Sequence, residues 1–168
     1  FFEDCADEVE PWVDLASFVP SGDALDKLER LDRYVLQTIQ NAYSKLINLD
    51  RFAIKMDVLP FNESGARFTP SGFFDHIRRN IETFAPKFGF DDDTERDLWL
   101  SDDPYTAIAN ITLLDAVVMN LADGDVMCTQ YSECCWIFST LRGLAFESGD
   151  HPVSGNRKFG YNFDEESG

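Results

Sequence analysis

A cysteine and a histidine sixteen residues apart are the first candidates for chemistry in this chain. Cys135 is the second of two adjacent cysteines, and His151 follows in a segment rich in turn residues. An imidazolium beside a thiol lowers the pKa of the thiol and produces a nucleophile. The pair predicts a thiol hydrolase or transferase, if the chain is an enzyme. The side chain that orients the imidazole ring would be Asn156, Asp150 or Ser154.

The same cysteines also predict disulfides. Cys128 and Cys134 are separated by Thr-Gln-Tyr-Ser-Glu, and a tight loop there would bring them together across two strands. Adjacent cysteines rarely bond to each other, because the ring strains the peptide. We therefore expect Cys128 to bond to Cys134 or Cys135, and the remaining cysteine to bond to Cys5 or to stay a thiol. A metal site of Cys128, Cys134 and His151 is a third alternative, which no C-x₂-C spacing supports.

The string Cys-Cys-Trp-Ile-Phe-Ser-Thr resembles the Cys-Trp-Ala-Phe-Ser string around the nucleophile of papain-family cysteine proteases. This resemblance covers about seven residues, and it implies a cysteine at the start of a buried helix with a histidine on a strand more than a hundred residues later. Here His151 follows Cys135 by sixteen residues, and the family's glutamine has no clear equivalent. The aromatic and β-branched residues after Cys135 favour a strand. We expect a strand over 135–142 and no papain-type catalysis.

A second polar segment, His-Pro-Val-Ser-Gly-Asn-Arg-Lys-Phe-Gly-Tyr, predicts a ligand-binding loop before a strand. Arg157 beside Ser154 and Asn156 could hold an anionic group, with His151 at the start of the loop. The alternative is that Arg157 pairs with one of the many acidic side chains. The segment is similar to a string in uncharacterised bacterial proteins, which implies a bacterial source and no particular activity.

Two acidic clusters are candidates for calcium, which takes carboxylate oxygens from flexible loops. Asp91 and Asp93 belong to the first cluster, and Asp123 and Asp125 to the second. Neither matches an EF-hand loop, because the central glycine and the closing glutamate are missing at the required offsets. Asp93 is explained more simply as the cap of a helix over 94–100. The sequence predicts no cofactor.

Charge and composition limit the class of partner. The chain has 31 acidic against 14 basic side chains, a net charge of −17, and no cluster of more than two Lys or Arg residues. Such a surface repels nucleic acid and anionic lipid, so we expect no nucleic-acid partner. No run of about 18 apolar residues is present, so we expect no membrane insertion. The cysteines and the acidity favour a secreted or periplasmic location.

The elements that would position these residues follow from hydrophobic periodicity. Spacings of three and four predict a long amphipathic helix over 22–49, and alternation predicts a half-buried strand over 51–58. Thr69 and Pro70 predict the start of a second helix that Pro86 ends. Strands are predicted over 107–113 and repeatedly after Gly124.

This order of elements is typical of an α+β fold, with the two helices packed on a mainly antiparallel, curved sheet. We expect residues 1–168 to form one domain, with 1–20 as an acidic N-terminal arm. The chain stops in an acidic tail just past a predicted strand, so we also consider it a module of a longer protein. The absence of a known catalytic motif favours a non-catalytic module that binds a partner or ligand through loops beside its sheet. The thiol enzyme is the alternative.

Overall fold

The structure is a computed structural model that describes residues 18–39, 52–112, 123–143 and 154–162. Within these residues the helices are α1 (Gly22–Leu31), α2 (Pro70–Arg79), α3 (Ile81–Phe84) and α4 (Asp93–Leu100). The strands are β1 (Tyr34–Leu36), β2 (Phe88–Phe90), β3 (Ile108–Thr112), β4 (Asp123–Tyr131), β5 (Cys135–Gly143) and β6 (Asn156–Gly160).

The six strands form one sheet in which the pairings are antiparallel. The order is β1-β5-β4-β3-β2, and β6 also pairs with β5. β6 pairs with residues 135–139 and β1 with residues 141–143, so both lie end to end along the same side of β5. With its few helices, this sheet confirms the predicted α+β class.

Helices cover both faces of the sheet, and neighbouring residues of one strand face different helices. Ile108 and Met127 pack with Ala24 and Leu28 of α1. The residues next to them in β3 and β4 belong to a second cluster around Trp99 of α4. The buried rings of this second cluster are those of Phe88, Trp99, Trp136 and Phe138. The core therefore lies in two layers, one on each side of the sheet.

The long helix predicted over 22–49 is wrong. Helix α1 ends at Leu31, and Asp32 closes it in a left-handed conformation with φ of 49°, its N–H donating to the carbonyl of Leu28. The next aromatic and β-branched residues pair with β5 instead of continuing the helix. Aspartate tolerates a left-handed conformation and can end a helix without a glycine, which is why no breaker was visible in the sequence. Residues 40–51 lie outside the described part of the chain.

The strand predicted over 51–58 is also wrong for its described part. Residues 52–60 form neither helix nor strand, and the chain bends at Asp57 and Val58. Every side chain from 52 to 58 is exposed. A half-buried strand needs a neighbour to pair with, and none of the described residues pairs with this segment.

The start of the second helix and the C-terminal strands are confirmed, but the helix predicted to run to Pro86 is divided at Asn80 into α2 and α3. Thr69 caps α2, its Oγ1 accepting a hydrogen bond from the N–H of Gly72 at 3.1 Å, with Pro70 as the first helical residue. β5 covers the strand predicted over 135–142, and β6 pairs with it antiparallel so that Trp136 lies opposite Phe159. Their rings stack with centroids 5.4 Å apart, which is a cross-strand aromatic contact.

None of the described helices is long and apolar enough to cross a membrane.

Candidate functional site

Cys135 begins β5 with its side chain fully buried. The Oγ of Ser132 accepts hydrogen bonds from the backbone N–H groups of Cys134 and Cys135, each at 3.2 Å, and lies 3.6 Å from Cys135 Sγ. The papain-type arrangement requires a helix at this cysteine, and the structure has a strand. His151 lies outside the described residues, so the Cys–His pair stays a prediction.

The proposed third member of the catalytic group is distant from the thiol. Asn156 pairs with Ser139 in the register of β5 and β6, four residues along β5 from Cys135. At a rise of about 3.4 Å per residue, this separates the two positions by about 14 Å. Asn156 Oδ1 accepts a hydrogen bond from Ser139 Oγ at 2.6 Å, and Ser139 in turn contacts Thr129 at 2.7 Å. Asn156 therefore belongs to a buried network of hydroxyl groups between strands.

The disulfide predicted for Cys128 is wrong, because Cys128 and Cys135 are both thiols. Cys128 lies opposite Phe138 on the neighbouring strand and packs in the aromatic cluster, so neither Cys134 nor Cys135 faces it across the strands. Its Sγ donates to the carbonyl of Gln130 at 3.3 Å. Burial raises the pKa of the Cys128 thiol to about 12. A bond between Cys134 and Cys5 stays a prediction, because Cys5 lies outside the described residues.

Burial of both thiols leads to a prediction about reactivity. We expect Cys128 and Cys135 to be protected from an aromatic disulfide reagent in the native protein and to react within seconds after unfolding, because a buried thiol is shielded from the reagent. Titration with and without denaturant, followed by peptide mapping of the labelled cysteines, measures this. Rapid native labelling of Cys135 that is lost in His151→Ala would contradict it and would support the thiol enzyme.

The three described residues of the predicted ligand-binding set do not converge, and His151 lies outside the described residues. Gln37 Nε2 donates to Ser154 Oγ at 2.7 Å, which ties this residue to the end of β1. Asn156 and Arg157 are neighbours in β6 and therefore face opposite sides of the sheet. The guanidinium of Arg157 lies 5.5 Å from the ring centroid of Phe159. The described part of this loop thus connects strands and does not form a polar pocket around Arg157.

Two of the four calcium candidates face one buried phenol. Tyr34 donates a hydrogen bond to Asp91 at 3.1 Å, and Arg33 contacts the same carboxylate at 2.7 Å. Burial and the charges of Asp125 and Asp91 raise the pKa of Tyr34. Asp125 accepts a hydrogen bond from Asn110 at 3.0 Å. The contact between Tyr34 and Asp91 connects the two ends of the strand order, so these carboxylates hold the sheet together.

The remaining candidates give no metal centre within the described ranges. The carboxylate of Asp92, and not that of Asp93, caps α4 by accepting from the N–H of Glu95 at 2.9 Å. This is one residue earlier than predicted. Asp123 begins β4. No group of three or more His, Cys, Asp or Glu side chains is positioned to hold a metal ion among the described residues.

An open groove of about 790 Å³ runs along α1, and Lys27, one of its lining residues, belongs to a largely buried ion pair. Lys27 Nζ lies 2.7 Å from each carboxylate oxygen of Glu95 and donates to the carbonyl of Thr106 at 2.8 Å. The same carboxylate accepts from the N–H of Ile108 at 2.8 Å. Thr106 is left-handed, with φ of 69°, which is strained for a β-branched residue. Lys27 is therefore fixed by contacts within the fold. Its ion pair with Glu95 connects α1 and α4 with the start of β3.

A second charged cluster fixes the C-terminal end of α4. Arg78 is 1% exposed and donates to the carbonyls of Trp99 and Ser101, while its Nε and Nη2 bond to Asp75. Arg79 bonds to the other oxygen of Asp75. Partial burial acts to raise the pKa of Asp75, but the hydrogen bonds from the two arginines outweigh it and the pKa is lowered. Like the groove, this cluster serves the fold.

The feature that the fold does not use is an exposed apolar strip, which we define as residues 52–61. Large side chains on its alternate positions are exposed, Ile54 by 89% and Phe52 by 80%. The other exposed apolar side chains of the strip are those of Met56, Val58 and Phe61. This alternation is visible in the sequence, where it predicts a half-buried strand, but no described strand pairs with it.

The C-terminal end of the strip is fixed by a short turn. Phe61 and Arg67 form an antiparallel bridge, and the Asn62 side chain accepts from the N–H groups of Ser64 at 3.1 Å and Ala66 at 3.0 Å. Arg67 donates to the carbonyl of Leu59 at 2.8 Å, and its guanidinium lies 4.6 Å from the Phe61 ring centroid. The turn therefore holds one end of the strip beside the start of α2.

Comparison with known proteins identifies no relative: no protein-family model, no curated protein and no solved structure matches this chain.

Proposed function

We propose that this protein is a non-catalytic binding module whose contact surface is the exposed strip 52–61. The observation that supports the proposal is the run of large apolar side chains at alternate positions with no partner among the described residues. Contiguous exposed apolar surface on a soluble protein is typical of an interface, because leaving it in water costs about 25 cal/mol per Å². An exposed surface whose only role is solubility would carry polar side chains at these positions.

The chemistry of the strip favours a protein partner bound by strand addition. An extended segment with apolar residues on one side can offer its free backbone groups to a strand and its side chains to shallow pockets. The segment contains one lysine and one aspartate within 52–61 and is neutral, whereas the whole chain carries −17. Nucleic acid and anionic membrane would be repelled by the rest of the surface.

A secreted or periplasmic location stays part of the proposal. It depends on the acidic surface and on the predicted bond between Cys134 and Cys5, since Cys128 and Cys135 are thiols. The thiol enzyme is not favoured by any contact within the described residues: Cys135 is buried, and Asn156 is bonded to Ser139 at a distance from it.

If the strip serves binding and not folding, polar substitution there should leave stability unchanged. We expect Ile54→Asp/Val58→Asp to change the free energy of unfolding by less than about 0.5 kcal/mol, because both side chains are exposed. Ile137→Asp, at a buried position of β5, should unfold the protein. Denaturant titration measures both variants.

The matched binding control is Val19→Asp, which replaces another exposed valine outside the strip. Proteins from the source cell that bind the wild type and Val19→Asp should be lost with the double variant. If the double variant is destabilised by several kcal/mol, the strip packs within its own fold and the proposal fails. Equal recovery of every bound protein by all the folded variants would also overturn it.

A further inference from the structure

We propose that the strip pairs with the same strip of a second copy of this chain, as two antiparallel strands related by a two-fold axis through Met56. This inference depends on the proposed function, because it takes 52–61 as the contact surface, and it goes further by naming the partner. The sequence of the strip is Phe-Ala-Ile-Lys-Met-Asp-Val-Leu-Pro-Phe.

The charges of the strip are arranged for self-pairing. With Met56 opposite Met56 of the other copy, antiparallel register puts Lys55 opposite Asp57 and Asp57 opposite Lys55. Ile54 then lies opposite Val58 on the other side of the ribbon. One axis therefore produces two ion pairs between the chains and three apolar cross-strand pairs, which are Met–Met once and Ile–Val twice. Opposite charges directly across an antiparallel pair are stabilising, and like charges are destabilising.

The structure already places these two charges as the pairing requires. Lys55 and Asp57 form an ion pair of 3.8 Å within one chain, so both point to the same side of the segment. Both are strongly exposed, at 70% and 82%. An exposed pair of this kind contributes little to the monomer, and exchanging it for two pairs between chains costs little.

Electrostatics limits where two copies can meet. Each chain carries −17, so most pairs of surfaces repel each other. The strip is neutral and its charges are self-complementary, so two copies of the strip do not repel each other. A partner attracted to this protein by its net charge alone would be basic. Such a partner would bind the acidic faces and not an apolar strip.

The segment is free to adopt the paired conformation. No described residue makes a hydrogen bond to the backbone of residues 52–58, so these groups are available to a second strand. The bend at Asp57 and Val58 must straighten, and Pro60 limits the paired length to about eight residues. A contact of this length is smaller than a standard interface of about 1,600 Å², so the dimer should depend on concentration.

Charge reversal tests the register. Asp57→Lys places lysines opposite each other in both pairs, and we expect it to weaken the dimer on the order of tenfold in sedimentation equilibrium. The control Glu63→Lys changes the net charge equally at an exposed position outside the strip, and it should not weaken the dimer. Lys55→Asp should also weaken it, and mixing this variant with Asp57→Lys should restore association as a heterodimer.

Cysteine cross-linking tests the axis. Met56→Cys should form a disulfide-linked dimer under mild oxidation, because the two positions face each other directly. Ile54→Cys alone should not, since its two copies would lie about 14 Å apart along the ribbon. A mixture of Ile54→Cys and Val58→Cys should cross-link. The wild type, which retains the native cysteines, is the background control.

The outcomes separate this inference from the proposed function. A monomer at all concentrations, with partner capture still lost in Ile54→Asp/Val58→Asp, overturns self-pairing and leaves the binding module standing. A dimer that is unaffected by Asp57→Lys and by Ile54→Asp/Val58→Asp, with partner capture also retained in the double variant, overturns both. Dimerisation that is lost in Asp57→Lys and recovered in the mixture supports the register.

Discussion

Replacing Arg78 with methionine should lower the free energy of unfolding by about 3 kcal/mol or more. Arg78 is 1% exposed and donates to the carbonyls of Trp99 and Ser101 at the end of α4. Each buried carbonyl left without a donor costs about 1–3 kcal/mol. Methionine keeps most of the apolar volume, so the loss reports the hydrogen bonds. Denaturant titration measures it.

Arg79 is the matched control for this prediction. Like Arg78, it bonds to Asp75 and donates to a carbonyl of α4, that of Leu100, but its side chain is 36% exposed, and its bond to Asp102 is made by a fully exposed carboxylate. Arg79→Met should therefore cost about 1 kcal/mol, as partly exposed ion pairs usually do. Equal losses for the two variants would show that Arg78 does not hold α4 against α2 in the way described.

The second large effect should come from the ion pair beneath the groove. Glu95→Ala should cost about 3–5 kcal/mol, because it leaves the Lys27 ammonium group buried without a counter-charge. The N–H of Ile108 loses its acceptor in the same variant. Lys27→Met should be costly for the converse reason, since the carboxylate is 7% exposed. Thermal and denaturant unfolding measure both single variants.

The double variant Lys27→Met/Glu95→Gln provides the control. Glutamine keeps an oxygen for the N–H of Ile108, and neither charge remains, so the double variant should lose less than the sum of the two single losses. Replacing a complete buried ion pair is often close to neutral. Strictly additive losses would indicate that the two side chains act independently, and the described pair would then contribute no coupling to stability.

The parts of the fold that could be predicted are those set by local sequence. Thr69 and Pro70 mark the start of α2 because a hydroxyl cap and a first-turn proline act within one turn. β5 is rich in aromatic and β-branched residues, and Trp136 stacks on Phe159 of β6, the strand with which it pairs. In these elements, the residues that form the predictive pattern lie within about 25 positions of the residues that they contact.

The error over 22–49 has a long-range cause. The spacing of apolar residues continues past Leu31 as in a helix, yet Leu36 pairs with Leu141, more than a hundred positions away. The helical spacing of apolar residues does not show whether β5 has an edge available for pairing with residues 34–36. Pairing with the sheet outweighs a weak helical preference, and Asp32 accepts the left-handed turn that this requires.

The candidate site also contains features that local sequence predicts and features that depend on distant contacts. The alternation over 52–58 was visible in the sequence, but the sequence could not show that the rest of the described fold leaves it uncovered. The pair of Lys27 and Glu95 and the contact of Tyr34 with Asp91 join residues 57–68 positions apart. Among 31 acidic side chains, such pairs have no distinguishing pattern. The residues around Cys135 make it a candidate nucleophile in the sequence. Its burial follows only from the packing of β5.

Hydrogen exchange over residues 53–59 tests most directly whether the strip is a contact surface. In dilute protein, these amides should exchange at nearly the rate of an unstructured peptide, because no described residue bonds to them. In concentrated protein, or with a captured partner bound, protection should appear in this segment while α2 and β4 stay unchanged. Strong protection in the dilute monomer, or none under any condition of binding, would contradict the assignment of 52–61 as the contact surface.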